Sequence, residues 1–216
     1  MKQVELTGKA KKFFEEVVLQ NNPKMTVRLK ADSFRQRAIG LLFWLFNPFY
    51  MTRYITVLGD TIWLPAKVLS EHALFEVLVH ENVHIKQKNK YGAFLYSLAY
   101  LFPLTLIFLG IPLAIFVSKW FLLLAGLSLA PLPAAFRFYF EVEAYRTTLI
   151  LMRDRGVVSI ESLTQVVAWV VEQLSTKLYY FTWPFKKHIE KVLLDEALFN
   201  KPIYSDLYWF IRNNKN

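Results

Sequence analysis

The chain has 216 residues, no cysteine and a formal net charge of +9. The length suits one domain, and we predict a single domain over residues 1–216. The lack of cysteine excludes a disulfide framework and thiolate metal sites, so a metal would need His, Asp or Glu ligands. Apolar residues make up 55% of the chain, and with the positive charge they favour membrane lipid as a partner. No nucleic-acid-binding motif is present, so nucleic acid is not expected.

The first quarter of the chain predicts a helix, a basic segment and a short hairpin. Residues 5–20 have a weak helical period. Residues 25–37 are basic and lead into an apolar run over 38–51, which is too short to span a bilayer and predicts an interfacial or core segment. Residues 54–65 contain two β-rich runs around Gly59-Asp60, a pattern typical of a β-hairpin.

A long helix is predicted next, from Glu71 to Tyr91. Ser70 suits its N-cap, and an acid at the first position suits the positive end of the helix dipole. Gly92 suits its C-terminal end. This helix carries the sequence His-Glu-Asn-Val-His, which begins at residue 80.

An almost uncharged region follows, over residues 93–136, with Lys119 as its single charged residue. It predicts an apolar helical hairpin that is either inserted fully or partly in a bilayer or buried against protein. Basic residues precede and follow the region, and if it spans a membrane they place the helices that flank it on the cytoplasmic side. These residues are Lys86, Lys88, Lys90 and Arg137.

The remaining segments are predicted to be helical. Pro133 suits the first turn of a helix that ends near Arg155. A C-terminal helical region over 159–216 contains three more, which end near Tyr180, Phe199 and Arg212. The predicted fold class is therefore mainly α with a small β-hairpin.

His80, Glu81 and His84 form an HExxH sequence within the long helix. Helical residues four apart share a face, so His80 and His84 can present two imidazoles to one metal ion. Glu81 would reach a water on that metal and act as general base. The alternative is a polar helix face whose histidines are solvated or paired with nearby acids.

A third metal ligand is expected from the helix that follows Pro133. Glu141 is favoured, because it shares a helix face with Arg137 and Tyr145, which could orient the carboxylate or bind a substrate oxyanion. Glu143 lies about 200° away around the helix and is the alternative ligand. Alternatively, Glu143 forms a surface pair with Arg146 or Thr147.

The two helical sequences together resemble the gluzincins, in which a glutamate on a later helix completes a zinc site. His80-Glu81-x-x-His84 followed by Glu141-x-x-Ala144 is most similar to membrane-embedded gluzincins, namely heat-shock membrane peptidases and prenyl-protein endopeptidases. Those families typically carry aspartate where this chain has Tyr145. The sequences HExxHxxQ and FExEAY also resemble small HExxH proteins of bacteria and phages.

The resemblance covers residues 54–150. It implies a zincin-like helical core with the apolar hairpin inserted between the ligand helices, a Zn²⁺ ion, Glu81 as base, and hydrolysis of a peptide or protein substrate. The prediction is a membrane-associated zinc endopeptidase. Its rivals are a membrane-inserting structural protein, such as a phage or envelope component with a degenerate site, and a non-proteolytic metal scaffold.

Three further polar residues are considered as possible members of the site. Gln87 lies on the face of His80 and is either a hydrogen-bond partner of the site or a solvated side chain. His72 is interpreted as a surface residue of the first helical turn. His188 lies in a basic segment, with a solvated position favoured over a role in catalysis.

Overall fold

The computed structural model describes residues 3–44, 48–52, 54–65, 69–129, 133–154, 160–176, 182–199 and 210. These residues are mainly helical and contain one three-stranded sheet. The predicted fold class, mainly α with a small β-structure, is therefore confirmed. The chain divides into two compact units. The first unit comprises Met1–Lys86 with Pro202–Asn216, and the second comprises Gln87–Lys201.

The first unit begins with a helical stretch that confirms the helix predicted over residues 5–20. It consists of α1 (Gly8–Phe13), a π-helical turn (Phe14–Val18) and α2 (Leu19–Asn21). Its apolar side is buried, and the ring of Phe13 lies edge-on to Phe75 and Phe210, with ring centres 5.4 and 5.1 Å apart. Such aromatic pairs add specific geometry to the area that they bury.

The predicted hairpin is present, and a third strand joins it. The strands are β1 (Thr26–Leu29), β2 (Thr56–Leu58) and β3 (Thr61–Leu64), in the order β1-β3-β2. β2 and β3 pair antiparallel across Gly59-Asp60, and β1 pairs parallel with β3. The prediction missed β1, because it is only four residues long and lies within a segment dominated by basic residues.

A short helix follows β1 after a 3₁₀ turn at Lys30–Asp32. This helix, α3, runs from Phe34 to Phe43, and the hydroxyl of Ser33 caps it by accepting from the backbone N–H of Gln36 at 3.3 Å. The apolar run predicted over 38–51 is therefore partly helix and partly the turns at residues 48–52. Residues 45–47 lie outside the described part.

The long helix α4 runs from Glu71 to Tyr91, as predicted. The hydroxyl of Ser70 accepts from the backbone N–H of Ala73 at 3.3 Å, which is the hydrogen bond expected of an N-cap. Leu78, Val79 and Val83 are buried. Gly92 ends the helix with a φ of 79°, a conformation that side chains larger than glycine's rarely adopt.

The apolar region of the second unit does not form the predicted two-helix hairpin. It contains α5 (Ala93–Leu101), α6 (Leu106–Phe116), a 3₁₀ turn (Lys119–Phe121) and α7 (Leu122–Leu129). The first run is divided because Pro103 cannot continue a helix and restricts the residue before it. Within the part of the chain that the structure describes, no helix combines the length and apolar character that crossing a membrane requires.

The rest of the second unit is a packed group of three helices, α8 (Ala135–Asp154), α9 (Ile160–Ser175) and α10 (Lys186–Phe199). Their shared core is aliphatic and includes Leu149, Leu163, Leu174 and Leu193. α8 also buries the polar side chains of Arg137 and Glu141. The predicted helix over residues 204–212 falls outside the described residues, apart from Phe210.

Candidate metal centre

Two imidazole nitrogens lie side by side on α4. The Nε2 atoms of His80 and His84 are 3.2 Å apart, and the two rings are inclined at 77°. Nitrogens that each bind one tetrahedral zinc ion at about 2.0–2.1 Å are separated by about 3.3 Å. The spacing therefore fits two ligands of a single metal ion.

A carboxylate completes a group of three potential ligands. One ligand atom from each of His80, His84 and Glu141 lies within 4.8 Å of the other two. His84 and Glu141 are buried, with 7% and 1% of their surface exposed, and His80 is half-buried. The three residues could hold a metal ion. Two neutral imidazoles and one carboxylate form a donor set that catalytic zinc uses, with a further position left for water or substrate.

Glu141 is oriented by two other side chains of the second unit. The hydroxyl of Tyr100 donates a hydrogen bond to Oε1 of Glu141. Arg137 in turn donates from Nε to the carbonyl oxygen of Tyr100 at 3.0 Å, and its guanidinium lies 5.1 Å from the centre of the Tyr100 ring. Burial, together with the charge of Glu141, raises the pKa of Tyr100 well above its ordinary value, so this phenol stays a hydrogen-bond donor at neutral pH.

Glu143 has a different environment. Its Oε2 accepts a hydrogen bond from Nε2 of Gln87 at 2.7 Å, and the same nitrogen donates to the carbonyl oxygen of Phe140 at 3.1 Å. Gln87 is buried. It therefore fixes the C-terminal part of α4 against α8, rather than standing in solvent.

The other candidate residues have contacts of their own. The ring of Tyr145 lies edge-on to Trp169 at 6.5 Å and packs on the core of α8, α9 and α10. Arg137 lies beside Tyr100, as described above. His72 is exposed and faces Glu76 at 3.1 Å, and His188 packs against Phe138 and Trp183.

Glu81 lies in the first unit, near a buried amine. Glu81 is 7% exposed, and Lys30 is fully buried. Nζ of Lys30 donates to the carbonyl oxygen of Tyr50 at 2.8 Å and lies 3.7 Å from the centre of that ring. Burial lowers the pKa of Lys30 to about 7, and the negative charge of Glu81 acts in the opposite direction.

The sequence reading missed Tyr100 and Lys30 as neighbours of the site. Tyr100 lies in the apolar region over 93–136, and its spacing of four from Tyr96 places both on one face of α5. Lys30 had been one of several basic residues in the segment over 25–37. Nothing in its local sequence distinguishes a buried lysine from a solvated one.

Comparison with known proteins finds no matching family model, no matching curated protein and no matching solved structure. The resemblance to gluzincins therefore stays a prediction.

Proposed function

We propose that this protein is a membrane-associated zinc-dependent endopeptidase. The observation that carries the proposal is the grouping of His80, His84 and Glu141, with Glu81 next to the first ligand on the same helix. A gluzincin site has the same residue types in the same order along the chain. A carboxylate beside a His₂Glu donor set is also what metal-assisted hydrolysis requires.

Within this proposal each residue has a defined task. His80, His84 and Glu141 would hold Zn²⁺, which when bound supplies a Lewis acid that polarises a carbonyl and lowers the pKa of water. Glu81 takes a proton from the attacking water and returns it to the leaving amine. Tyr100 and Arg137 hold Glu141 in position. Tyr145, one helical turn after Glu141, is the proposed group for binding the oxyanion.

Membrane association is supported by the surface of α5, α6, α7 and the 3₁₀ turn that precedes α7. Many apolar side chains there are strongly exposed, among them Phe94 (76%), Phe116 (84%) and Trp120 (71%). Soluble monomers rarely expose so many large apolar residues in one region. α5, α6 and α7 have 9, 11 and 8 residues, against about 20 for a span, so we propose that they enter the interface. The cytoplasmic side remains our proposal for the catalytic helices.

The same apolar surface favours a second candidate, a membrane-inserting structural protein whose metal site is not catalytic. The two candidates share metal binding and differ in hydrolysis. Both therefore have to be tested with one preparation of the full chain in detergent.

The first experiment compares two histidines of α4. Purified wild-type protein is expected to contain about one zinc ion per chain and to cleave a casein-type substrate, with cleavage lost on chelation and restored by added zinc. His84→Ala is expected to lose both zinc and cleavage. His72→Ala, which removes an exposed histidine from the same helix, is expected to retain both. A wild-type protein that binds no metal would overturn the proposal, and metal without cleavage would support the structural candidate.

A second prediction concerns the phenol that contacts Glu141. Tyr100→Phe removes one hydroxyl and leaves the ring, so Glu141 loses a hydrogen bond that orients it. We expect zinc affinity to fall by roughly 10- to 100-fold, the range typical of such outer-shell partners. Zinc affinity is measured by competition with a chelating dye. Tyr96→Phe, on the same helix face, is the matched control and should bind zinc as the wild type does; equal affinity in all three proteins would contradict the prediction.

A further inference from the structure

The second unit contains an apolar pocket of about 580 Å³. Its walls come from the end of α4, from α5 and from the first half of α8, and all of its lining residues lie within Gln87–Lys201. The volume falls within the range of roughly 300–1,000 Å³ that is usual for small-molecule sites. The pocket is therefore large enough for a ligand and not merely a packing defect.

The chemistry of the walls restricts the ligand. Leucine, alanine, phenylalanine and tyrosine make up the lining, and none of the described residues that form it is charged. A peptide backbone or a charged group placed there would lose its hydrogen bonds to water without replacement, which costs several kcal/mol. A hydrocarbon chain carries no such cost and gains from leaving water.

The walls are themselves part of the exposed apolar surface. Leu95, Leu98 and Phe136 all line the pocket, and 61%, 45% and 55% of their surfaces are exposed. A hydrocarbon chain can therefore enter from a bilayer in contact with α5 without crossing water. This continuity argues for a lipid of the membrane as the occupant, rather than for a solute taken from the aqueous phase.

One side of the pocket carries groups suited to the polar end of a lipid. The phenol-bearing residues Tyr91 and Tyr139 both line the pocket. Nζ of Lys90 lies 5.1 Å from the centre of the Tyr91 ring, and Lys88 precedes it in the last turn of α4. Phenols and lysines of this kind gather at the level of lipid headgroups, where the ammonium groups attract anionic lipid.

We infer that this pocket binds one acyl chain of an anionic membrane phospholipid, whose headgroup lies against Lys90, Tyr91 and Tyr139. The inference rests on the membrane association proposed above and is independent of metal binding and hydrolysis. It assigns the pocket to a lipid of the membrane and not to the substrate.

The test uses phosphatidylglycerol with a photoactivatable group in its acyl chain, mixed into phosphatidylcholine vesicles. Full-length protein is bound to the vesicles, illuminated and digested, and the labelled residues are mapped by mass spectrometry. Labels are expected on Leu95, Leu98 and Phe136. Leu95→Glu places a carboxylate at the pocket and should lower labelling per bound protein at least about tenfold, because a carboxylate beside a hydrocarbon chain must be desolvated.

Phe94→Glu is the matched control. It adds the same charge to a neighbouring exposed residue of α5 that does not line the pocket, so pocket labelling per bound protein should match that of the wild type. Flotation of the vesicles measures membrane binding separately, and Glu81→Gln should be labelled like the wild type, whatever its activity. Vesicle binding without pocket labelling would overturn this inference alone. Failure to bind vesicles would overturn both the lipid pocket and membrane association. Labelling by a free photoactivatable fatty acid, but not by phosphatidylglycerol, would overturn the assignment to phospholipid.

Discussion

Glu81→Gln is expected to keep its zinc and to lose hydrolysis. The substitution preserves the shape of the side chain and removes the carboxylate that would accept the proton of the attacking water. General bases of this kind contribute about 10²- to 10⁴-fold to rate, and we expect the cleavage rate to fall by that factor. Because Glu81 is not one of the three grouped ligands, the zinc content should remain that of the wild type. Both quantities can be measured on the same preparation.

The matched control is Glu76→Gln, which changes an acid of the same helix that faces His72 rather than the ligand group. It should retain zinc and cleavage. Loss of cleavage in both variants would point to a general effect of charge on α4, and loss of zinc in Glu81→Gln would place Glu81 among the ligands. Unchanged cleavage in Glu81→Gln would remove it from the mechanism and leave the metal group without its proposed base.

Local sequence signals were sufficient to predict the elements that carry the candidate ligands. α4 begins after Ser70 and ends before Gly92, as predicted, because capping and positive φ are properties of single residues. The same holds for the hairpin around Gly59-Asp60. The spacing of His80 and His84 then fixes their common face, since four residues make slightly more than one helical turn.

Features that depend on tertiary packing were not predictable in the same way. Tyr145 follows Glu141 by one helical turn, and the sequence placed both on one face. In the structure the ring of Tyr145 packs with Trp169 and against the core of α8, α9 and α10. A hydroxyl that contacts Glu141 comes from Tyr100, 41 residues earlier in the chain.

The apolar region shows the limit of hydropathy as a guide. An uncharged run of 25 residues over 93–117 exceeds the roughly 20 that a span requires, so hydropathy alone is compatible with a membrane span. Pro103 and the residues around it divide the run into α5 and α6. The surface that results is still apolar, but it is presented by short helices. For this reason we propose interfacial association.

The other prediction with a large expected effect separates Glu141 from Glu143. Glu141→Gln keeps the volume of a buried side chain and removes the charge and the anionic oxygen that would bind zinc. We expect zinc affinity to fall by more than about 100-fold, because loss of an outer-shell partner alone costs 10- to 100-fold. Glu143→Gln should keep wild-type affinity, since the carboxylate of Glu143 is bound by Gln87. Zinc competition titrations measure both variants, and thermal unfolding without metal checks that each is folded.

The reverse result would have a specific meaning. If Glu143→Gln lost zinc while Glu141→Gln retained it, the third ligand would lie two residues later in the Phe-Glu-Val-Glu-Ala-Tyr sequence, on the opposite side of α8. Tyr100 would then contact a carboxylate with no part in metal binding, and Tyr100→Phe should leave zinc affinity unchanged. The zinc affinities of Glu141→Gln and Tyr100→Phe must therefore change together. Loss of affinity in both Glu141→Gln and Tyr100→Phe, with Glu143→Gln unaffected, is the pattern that a Glu141 ligand oriented by the Tyr100 hydroxyl requires.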